Sequence, residues 1–590
     1  MHKTHTKTHT TAAMMICSIR GVSIARRRLP RWVSFATRSM TQYSDDATGG
    51  IHGRGERLRV AVVGGGVAGM SAALHLANLV SQGLISGPID IYEASGHQGR
   101  DVGVGVWSTA LSHFEGSDRE SHQLVYQDLI RRGTFVKGVG YRTPQGHWLA
   151  ESNLESDDLP QLLFLREKDL IMSLRKAVHL EEQRGTLAMQ SGARYRIGSI
   201  FDQCTEPWSA PLMLPANSTT EPSSQILVRT PRDYHLIIDG SGSHSALRKT
   251  YGGYRLKGSE TRITGTTALQ SPLDIPTGPA SARKDQESWD DISQGEATRV
   301  QDRRYTVFRG NAKLSMEEMI DLDEKNKGNH VSFQTWGEGR SMRFATVPML
   351  HPSGIAGKEE ERQVWFITID DKELEDIDDP VTRRDRLLES FTGWHNPVRQ
   401  LVEATDPEEI IMDHAVAHKH CMGPVTNFNE VVKKITKRPP PNGGTGPAIV
   451  FVGDAFMCID PILAQGFTMG MEGAAVLAES IEATTKAPRR QEYPDLAFDP
   501  YALRKELETR HERRLGRLIC LLRATELVQA LGQPTTGTLL GFLSRDILRP
   551  LMRFTPDVIK TPLFNNMLKY SLGVHKSDSV GIHKGGIKRQ

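Results

Sequence analysis

Cysteine is sparse in this chain. Five residues (Cys17, Cys204, Cys421, Cys458 and Cys520) are spread over 590 positions with no Cys-x-x-Cys pair, which excludes a disulfide framework or zinc ribbon and fits a reducing compartment. No apolar run approaches the roughly 18 residues that a spanning helix needs, so no transmembrane segment is expected. There is no G-x-S-x-G sequence, which leaves hydrolase chemistry at a nucleophile elbow unsupported. Acidic residues are missing from residues 1–44, which carry eight Lys/Arg. Without that stretch the 73 basic residues fall to 65 against 70 acidic ones, and the body of the protein has no electrostatic footprint for nucleic acid.

What is present is ordinary for a globular protein: 38% hydrophobic and 24% charged residues, with 54 Gly and 30 Pro. The length allows three to four structural units, or fewer if one is a large α/β domain. The acid-free start is rich in Arg, Ser and Thr, the composition of an organelle transit peptide, and predicts a mitochondrial address. A plastid presequence or a basic tail without an address are the alternatives.

Chemistry begins directly after this segment. Leu58 to Val63 (LRVAVV) has the β-branched character of a buried parallel strand. Gly64-Gly65-Gly66-Val67-Ala68-Gly69 follows, and then a helical stretch from Met70 to Leu79. In this strand, turn and helix, Gly64 permits the tight turn, Gly66 lets the backbone approach a pyrophosphate, and Gly69 lets the helix pack on the strand. The helix N-terminus presents free N–H groups to phosphates, and Val67 and Ala68 of the turn belong to the expected cofactor-binding residues. A second strand, Pro88 to Tyr92, ends in Glu93, whose carboxylate is placed to accept hydrogen bonds from an adenosine ribose. Dinucleotide binding follows, but this motif alone does not separate FAD from NAD.

A later segment repeats the strand-then-glycine logic. Ile449 to Val452 is followed by Gly453-Asp454-Ala455, then Asp460-Pro461-Ile462-Leu463-Ala464-Gln465-Gly466-Phe467-Thr468-Met469-Gly470, then a small-residue helix through Ile481. This resembles the second fingerprint of the flavoprotein monooxygenases of the p-hydroxybenzoate hydroxylase class, G-D-A-A-H-x-x-x-P-x-x-G-Q-G-x-N-x-G. By that resemblance Asp454 holds the ribityl chain of FAD, and the backbone from Pro461 through Gln465, Gly466 and Phe467 to Thr468 lines the isoalloxazine. Met457, Ala464 and Thr468 depart from the family's His, Gly and Asn. Tyr234 to Arg248 (YHLIIDGSGSHSALR) is similar to the middle fingerprint G-A-D-G-x-x-S-x-x-R. Ser245 and Arg248 match it, while the acidic position falls on Ser241 and Asp239-Gly240 supplies an Asp-Gly pair two residues early. Arg100, followed by Gly103-Val104-Gly105, and Arg166, in Leu165 to Leu170, resemble family arginines that orient cofactor phosphate and ribityl groups. Phe391 to His395 (FTGWH) resembles its F-x-G-W segment, with Trp394 in a packing role.

The resemblance spans about residues 58–485. It implies an α/β fold in which a Rossmann-like FAD-binding domain, a parallel sheet with helices, is interleaved with a mostly antiparallel β-sheet substrate domain and followed by C-terminal helices. The expected division is 1–57 transit peptide and linker; 58–115, 164–260 and 446–490 FAD-binding domain; 116–163 and 261–445 substrate domain; and 491–590 C-terminal helical region. Strand-like alternation at Phe135 to Leu149, Arg262 to Leu269, Val331 to Trp336, Met342 to Val347 and Val364 to Ile369 supplies the second sheet. Ser271 to Arg304 reads as a loop, and Lys437 to Gly446 (KRPPPNGGTG) as a breaker.

The implied reaction is NAD(P)H-dependent reduction of FAD, O₂ addition at flavin C4a, and transfer of one oxygen atom to an aromatic, quinone-precursor or isoprenoid-type small molecule. NADH or NADPH is a transient co-substrate, and no catalytic side chain is singled out. A flavin-dependent reductase or other oxidoreductase, or an FAD-binding scaffold without turnover, are the competing readings. His414, His418, His420 and Cys421 have spacings that could ligate a metal if helical, but a strand there is as plausible and no metal is assigned. Asn217-Ser218-Thr219 is a formal sequon. Leu515, Leu518, Ile519 and Leu522 recur at helical spacing among Arg513, Arg514, Arg517 and Arg523, and apolar patches continue through Phe554 and Leu568. That C-terminal region is expected to pack on the flavin domain, with a peripheral membrane contact as the alternative.

Overall fold

The computed structural model describes residues 57–94, 98–155, 159–191, 193–195, 213–215, 234–245, 247–248, 300–323, 331–337, 342–352, 359–418, 425–427, 448–461, 464–487, 502–503, 505–507, 509–510 and 542–572. The transit-peptide, sequon, Arg262 to Leu269, Lys437 to Gly446, His420, Cys421 and Leu515 to Arg523 expectations lie outside the described residues, as does Ser271 to Arg304 up to residue 299.

β1 (Val60–Val63), α1 (Val67–Ser81) and β2 (Ile89–Glu93) form the first unit, and every residue of both strands is buried. Burial on both faces explains why these strands read as continuous apolar runs without alternation. β3 (Gly103–Trp107) follows, then α2 (Glu120–Arg132), the strands β4 (Thr134–Val136), β5 (Gly138–Arg142), β6 (Trp148–Asn153) and β7 (Leu162–Arg166), and α3 (Glu167–Gln183). β8 (Leu187–Ser191), the hairpin-like pair β9 (Ala193–Tyr195) and β10 (Met213–Pro215), and β11 (Leu236–Asp239) come next. The central stretch holds β12 (Val300–Ala312), β13 (Val331–Trp336), β14 (Arg343–Pro352), β15 (Glu359–Ile369) and β16 (Ile411–His418). β17 (Val425–Asn427), β18 (Ala448–Phe451) and α4 (Gly466–Lys486) complete the portion built on the parallel strands, and α5 (Asp557–Ser571) lies near the C-terminus.

Two large sheets organise these elements. The first has the order β17-β18-β11-β1-β2-β8, parallel throughout except for the antiparallel edge strand β17. The second has the order β16-β12-β15-β14-β13-β5-β6 and is antiparallel except where β13 pairs with β5. A three-stranded antiparallel sheet, β3-β7-β4, accompanies them. This is the α/β fold with a second, mostly antiparallel sheet that the sequence implied. Segment 116–163 divides its allegiance: α2 sends Val125 and Leu129 into the core of the parallel sheet, whereas β5 and β6 join the antiparallel one.

Two local readings need correction. The stretch expected as loop gives way to strand at Val300, since β12 takes in Gln301 to Arg304 before continuing as the long inner strand between β15 and β16. Residues His414 and His418 lie on strand β16, so helical ligand spacing does not arise; His414 is exposed, while buried His418 accepts the Cys458 N–H at Nδ1, 2.8 Å away. Trp394 packs as expected, edge-on to Phe391 with ring centroids 4.6 Å apart.

The antiparallel sheet has its own core, centred on Trp365, Phe308, Phe344 and Phe391. At its β5 end the Arg142 guanidinium is fully buried, 4.8 Å from the ring centroids of both Trp148 and Phe333. It makes a bidentate pair with Asp323, one arm of which measures 3.0 Å, and also donates to the Gly146 carbonyl.

Candidate functional site

The C-terminal ends of β1, β2, β11 and β18 lead to one cavity of about 680 Å³, within the range usual for small-molecule and cofactor pockets. Gly64, Gly66, Val67 and Ala68 line it from the first fingerprint, Glu93 from the end of β2, Gly240, Ser241 and His244 from the middle one, and Gly453, Asp454, Gly466 and Phe467 from the last. The three fingerprints, separated by hundreds of residues, thus meet at the end of one parallel sheet, where open α/β sheets bind their ligands.

Glycine is required here for separable reasons. Gly64 has φ +99°, and a Cβ there would lie 2.6 Å from the Gly240 carbonyl oxygen. At Gly69 a Cβ would collide with the Gly64 carbonyl oxygen, so α1 can start only over a glycine. Gly66, the residue preceding α1, has ordinary extended backbone (φ −79°, ψ −177°) and open space where its side chain would be. Its lack of a Cβ serves the cavity and not the fold. Glu93 is buried, and its Oε2 accepts the Gly65 N–H at 2.5 Å, which fastens the glycine turn to the end of β2 at the cavity wall.

On the opposite wall, α4 begins at Gly466 and aims its N-terminus at the cavity, as α1 does. Two positive dipole ends converging on one pocket favour an anionic or electron-rich ligand. The helices cross closely: a Cβ on Gly453 would lie 2.5 Å from that of Ala68, and one on Gly470 3.3 Å from it. Fully buried Thr468 accepts the Trp107 N–H at Oγ1 (3.1 Å), joining α4 to β3. Gln465 is buried just ahead of the helix, and Pro461 is exposed in the turn before it.

Asp454 starts the short helix Asp454–Met457 after β18 and borders the cavity. Among the described residues its carboxylate has no hydrogen-bond partner, and burial pushes its pKa up to about 6. A hydroxylated chain in the cavity would supply the missing donors, and the residues present therefore fit FAD: an orphaned acid for a ribityl chain, an open glycine cradle, and two helix N-termini for phosphates and ring. The sign of the pH effect follows. The unfolded acid titrates near 4 and the folded one near 6, so the penalty of burying the carboxylate is absent below about pH 4, grows as pH rises, and is complete above about pH 6. Asp454→Asn is expected to stabilise the flavin-free protein at pH 7–8 but not at pH 4, and to weaken FAD binding about tenfold; thermal melts across pH and FAD titration check both.

Asp239 emerges as a structural member of the site. Its buried carboxylate accepts from the Ser241 N–H (3.0 Å), the Ser241 hydroxyl (2.6 Å) and the Ser245 hydroxyl. Ser245 in turn accepts the Arg248 N–H at 2.8 Å, and Arg248 donates to the carbonyls of Ala455 (2.8 Å) and Phe456. The early Asp-Gly pair was the visible signal for this chain of bonds, which ties β11 to the Asp454 helix.

Arg100 and Arg166 have other partners. Arg100 makes a fork to Asp413 (2.7 and 2.8 Å) and a bond to Glu167 (3.0 Å), while Arg166 is clamped by Asp169 at 2.6 and 3.0 Å. Neither lines the cavity, whereas Glu167 and Ile171 of α3 do. Ala464, standing where the resemblance has glycine, has φ +49°. Left-handed backbone costs a non-glycine residue about 1–2 kcal/mol, so Ala464→Gly is expected to stabilise the protein by up to about 1 kcal/mol, read as a raised thermal midpoint.

No protein-family model matches the chain. A curated relative, aurachin C monooxygenase/isomerase from Stigmatella aurantiaca, is 29% identical over 184 residues, 31% of this chain; the match spans 37% of that relative's length. HpxO from Klebsiella pneumoniae, solved with FAD and uric acid, superposes with TM-score 0.51 at 17% identity, covering 88% of this chain and 97% of the other. An HpxO variant solved with FAD gives TM-score 0.50 at 17% identity, covering 88% and 99%. The fold implied by the resemblance to FAD-dependent monooxygenases is the fold this chain has.

Proposed function

We propose that the protein is an FAD-dependent monooxygenase that uses NADH or NADPH as a transient co-substrate and O₂ to hydroxylate or epoxidise a small aromatic, quinone-precursor or isoprenoid-type molecule. The observation that carries this reading is the cavity in which Gly66, Glu93, Asp454 and the N-terminus of α4 converge. The partial relative named for a monooxygenase of aurachin C, and HpxO with uric acid bound, support a small ring-containing substrate.

When bound, FAD supplies electron transfer from reduced nicotinamide and the activation of O₂. The chain's own residues bind, orient and shield. α1 and Gly66 would receive phosphates at free N–H groups; Glu93, which holds the glycine turn, would accept from the ribose; Asp454 would accept from the ribityl hydroxyls. The N-terminus of α4 would offer positive potential to the negative charge of a reduced flavin ring. Trp107, pinned to Thr468, and the apolar cluster of Leu162, Phe164 and Val364 beside it keep water from the adjoining space.

The test is spectroscopic first and kinetic second. Purified full chain should be yellow, release FAD near one per chain, and oxidise NAD(P)H faster when an accepted substrate is added. Flavin turnover without incorporation of oxygen from O₂ would favour a reductase or other oxidoreductase. Bound flavin without NAD(P)H oxidation on any substrate would favour an inactive scaffold, and a colourless protein that FAD does not reconstitute would remove the flavin reading. A mitochondrial address belongs to the same proposal; residues 1–57 fused to a fluorescent reporter should direct it to that organelle, and a cytosolic reporter would contradict the address. A peripheral membrane contact through the C-terminal region is also part of it.

A further inference from the structure

Ten large apolar side chains stand exposed among the described residues, and nine of them lie between Phe542 and Met567. They belong to the helical segments Leu543–Leu548 and Arg549–Phe554, the adjoining Phe542, and α5. Phe554 is 76% exposed and Val558 80%. Solvent-facing apolar residues scattered singly need no explanation, but a contiguous run of this kind marks a contact surface.

α5 is apolar on both sides. On one, Phe564 is buried with its ring centroid 5.3 Å from that of Tyr141, and Leu568, with Leu572 just past the helix, packs on the cluster of Trp107 and Phe164. On the other, Val558, Ile559, Leu563 and Met567 are at least 40% exposed. Two apolar sides call for cover on both, and among the described residues only one of them is covered.

Charge identifies the occupant. Residues 542–571 carry five basic residues against two acidic ones; Arg549 is buried against the Gly337 carbonyl and Lys560 pairs with Asp557 at 2.8 Å, which leaves Arg545, Arg553 and Lys569 against Asp546 in the count, whereas the chain beyond residue 44 is acidic overall. A second copy of the same face would oppose like charges, while an anionic lipid surface offers the complementary sign together with an apolar interior. No described helix is long and apolar enough to cross a membrane, so these helices can only lie along its surface.

We propose that the face formed by residues 542–567 docks the protein on an anionic lipid bilayer, with the exposed side of α5 and the preceding helical segments in the interfacial plane. The inner side of α5 reaches the cluster containing Trp107, which Thr468 joins to the flavin-type cavity. Docking would thus bring the bilayer to the substrate region. That the substrate is a lipophilic molecule taken from the bilayer rests on the monooxygenase reading; the docking itself does not.

Flotation of the full chain with phosphatidylcholine vesicles, with and without phosphatidylglycerol, tests the proposal. Binding is expected to the anionic vesicles and to fall about tenfold on neutral ones or in high salt. Phe554→Glu with Val558→Glu should lower binding by about tenfold or more while leaving FAD content and thermal midpoint unchanged. The basic N-terminal segment is common to both proteins, so the difference between them reports on the C-terminal face alone. Absence of vesicle binding, equal binding by parent and variant, or a vesicle-independent parent dimer that the variant dissociates would overturn the proposal. FAD content, measured on the same samples, separates failure of docking from failure of the flavin reading.

Discussion

Gly66→Val is expected to give a folded protein that has lost its flavin, with FAD affinity lower by on the order of 100-fold, or about 2.7 kcal/mol. The backbone at Gly66 is ordinary extended conformation, and a Cβ there would have open space around it apart from its own chain neighbours. It projects instead into the space where the glycine turn would receive a pyrophosphate. The paired control is Gly69→Ala, whose Cβ would strike the Gly64 carbonyl oxygen and separate α1 from β1. That variant should lose both flavin and stability. Circular dichroism melts and FAD titration distinguish the two, and equal stability losses would refute the division of roles between these glycines.

The second large effect is expected in the antiparallel sheet. Arg142→Ala leaves the Asp323 carboxylate, only 3% exposed, without its bidentate partner and removes the cation between Trp148 and Phe333. Breaking a buried pair from one side costs about 3–5 kcal/mol, which for a protein of this size lowers the apparent midpoint by about 3 °C. Replacing both partners by apolar residues, Arg142→Met with Asp323→Leu, should recover much of the loss, because the larger penalty is an uncompensated charge and not the absence of the pair. Thermal melts of the single and double variants give the comparison directly.

The parallel sheet was legible because its strands are buried on both faces and sit beside glycines with specific geometric tasks: Val60 to Val63 with Gly64, and Ala448 to Phe451 with Gly453. β13 was expected at its observed bounds because Val331 to Trp336 alternates. β12 was not: Gln301-Asp302-Arg303-Arg304 and Arg309-Gly310-Asn311 interrupt any simple pattern, and the strand is held by β15 and β16 on either side. Tertiary pairing there overrides local composition. The arginines teach a similar lesson. Arg100 and Arg166 stand at family-like positions, but Asp413, 313 residues beyond Arg100, engages the first, and nothing in local spacing reports a carboxylate that distant. Asp239, by contrast, could be noticed as an Asp-Gly pair out of register, though its bonds to Ser241 and Ser245 required the fold.

The close crossing of α1 and α4, with Gly453 and Gly470 seated against Ala68, has a consequence for biosynthesis. A ribosome that has made the first glycine turn still has nearly four hundred residues to translate before the other half of the cradle exists. Until β18 settles beside β11, the exposed edge of the parallel sheet has no covering strand on that side, and flavin has only one wall to bind. On the proposed function FAD would act late, as a ligand that captures the completed chain and draws the folding equilibrium toward it. Yield of soluble protein should accordingly follow the flavin supply of the producing cell, and fragments ending before residue 448 should accumulate without colour whatever that supply.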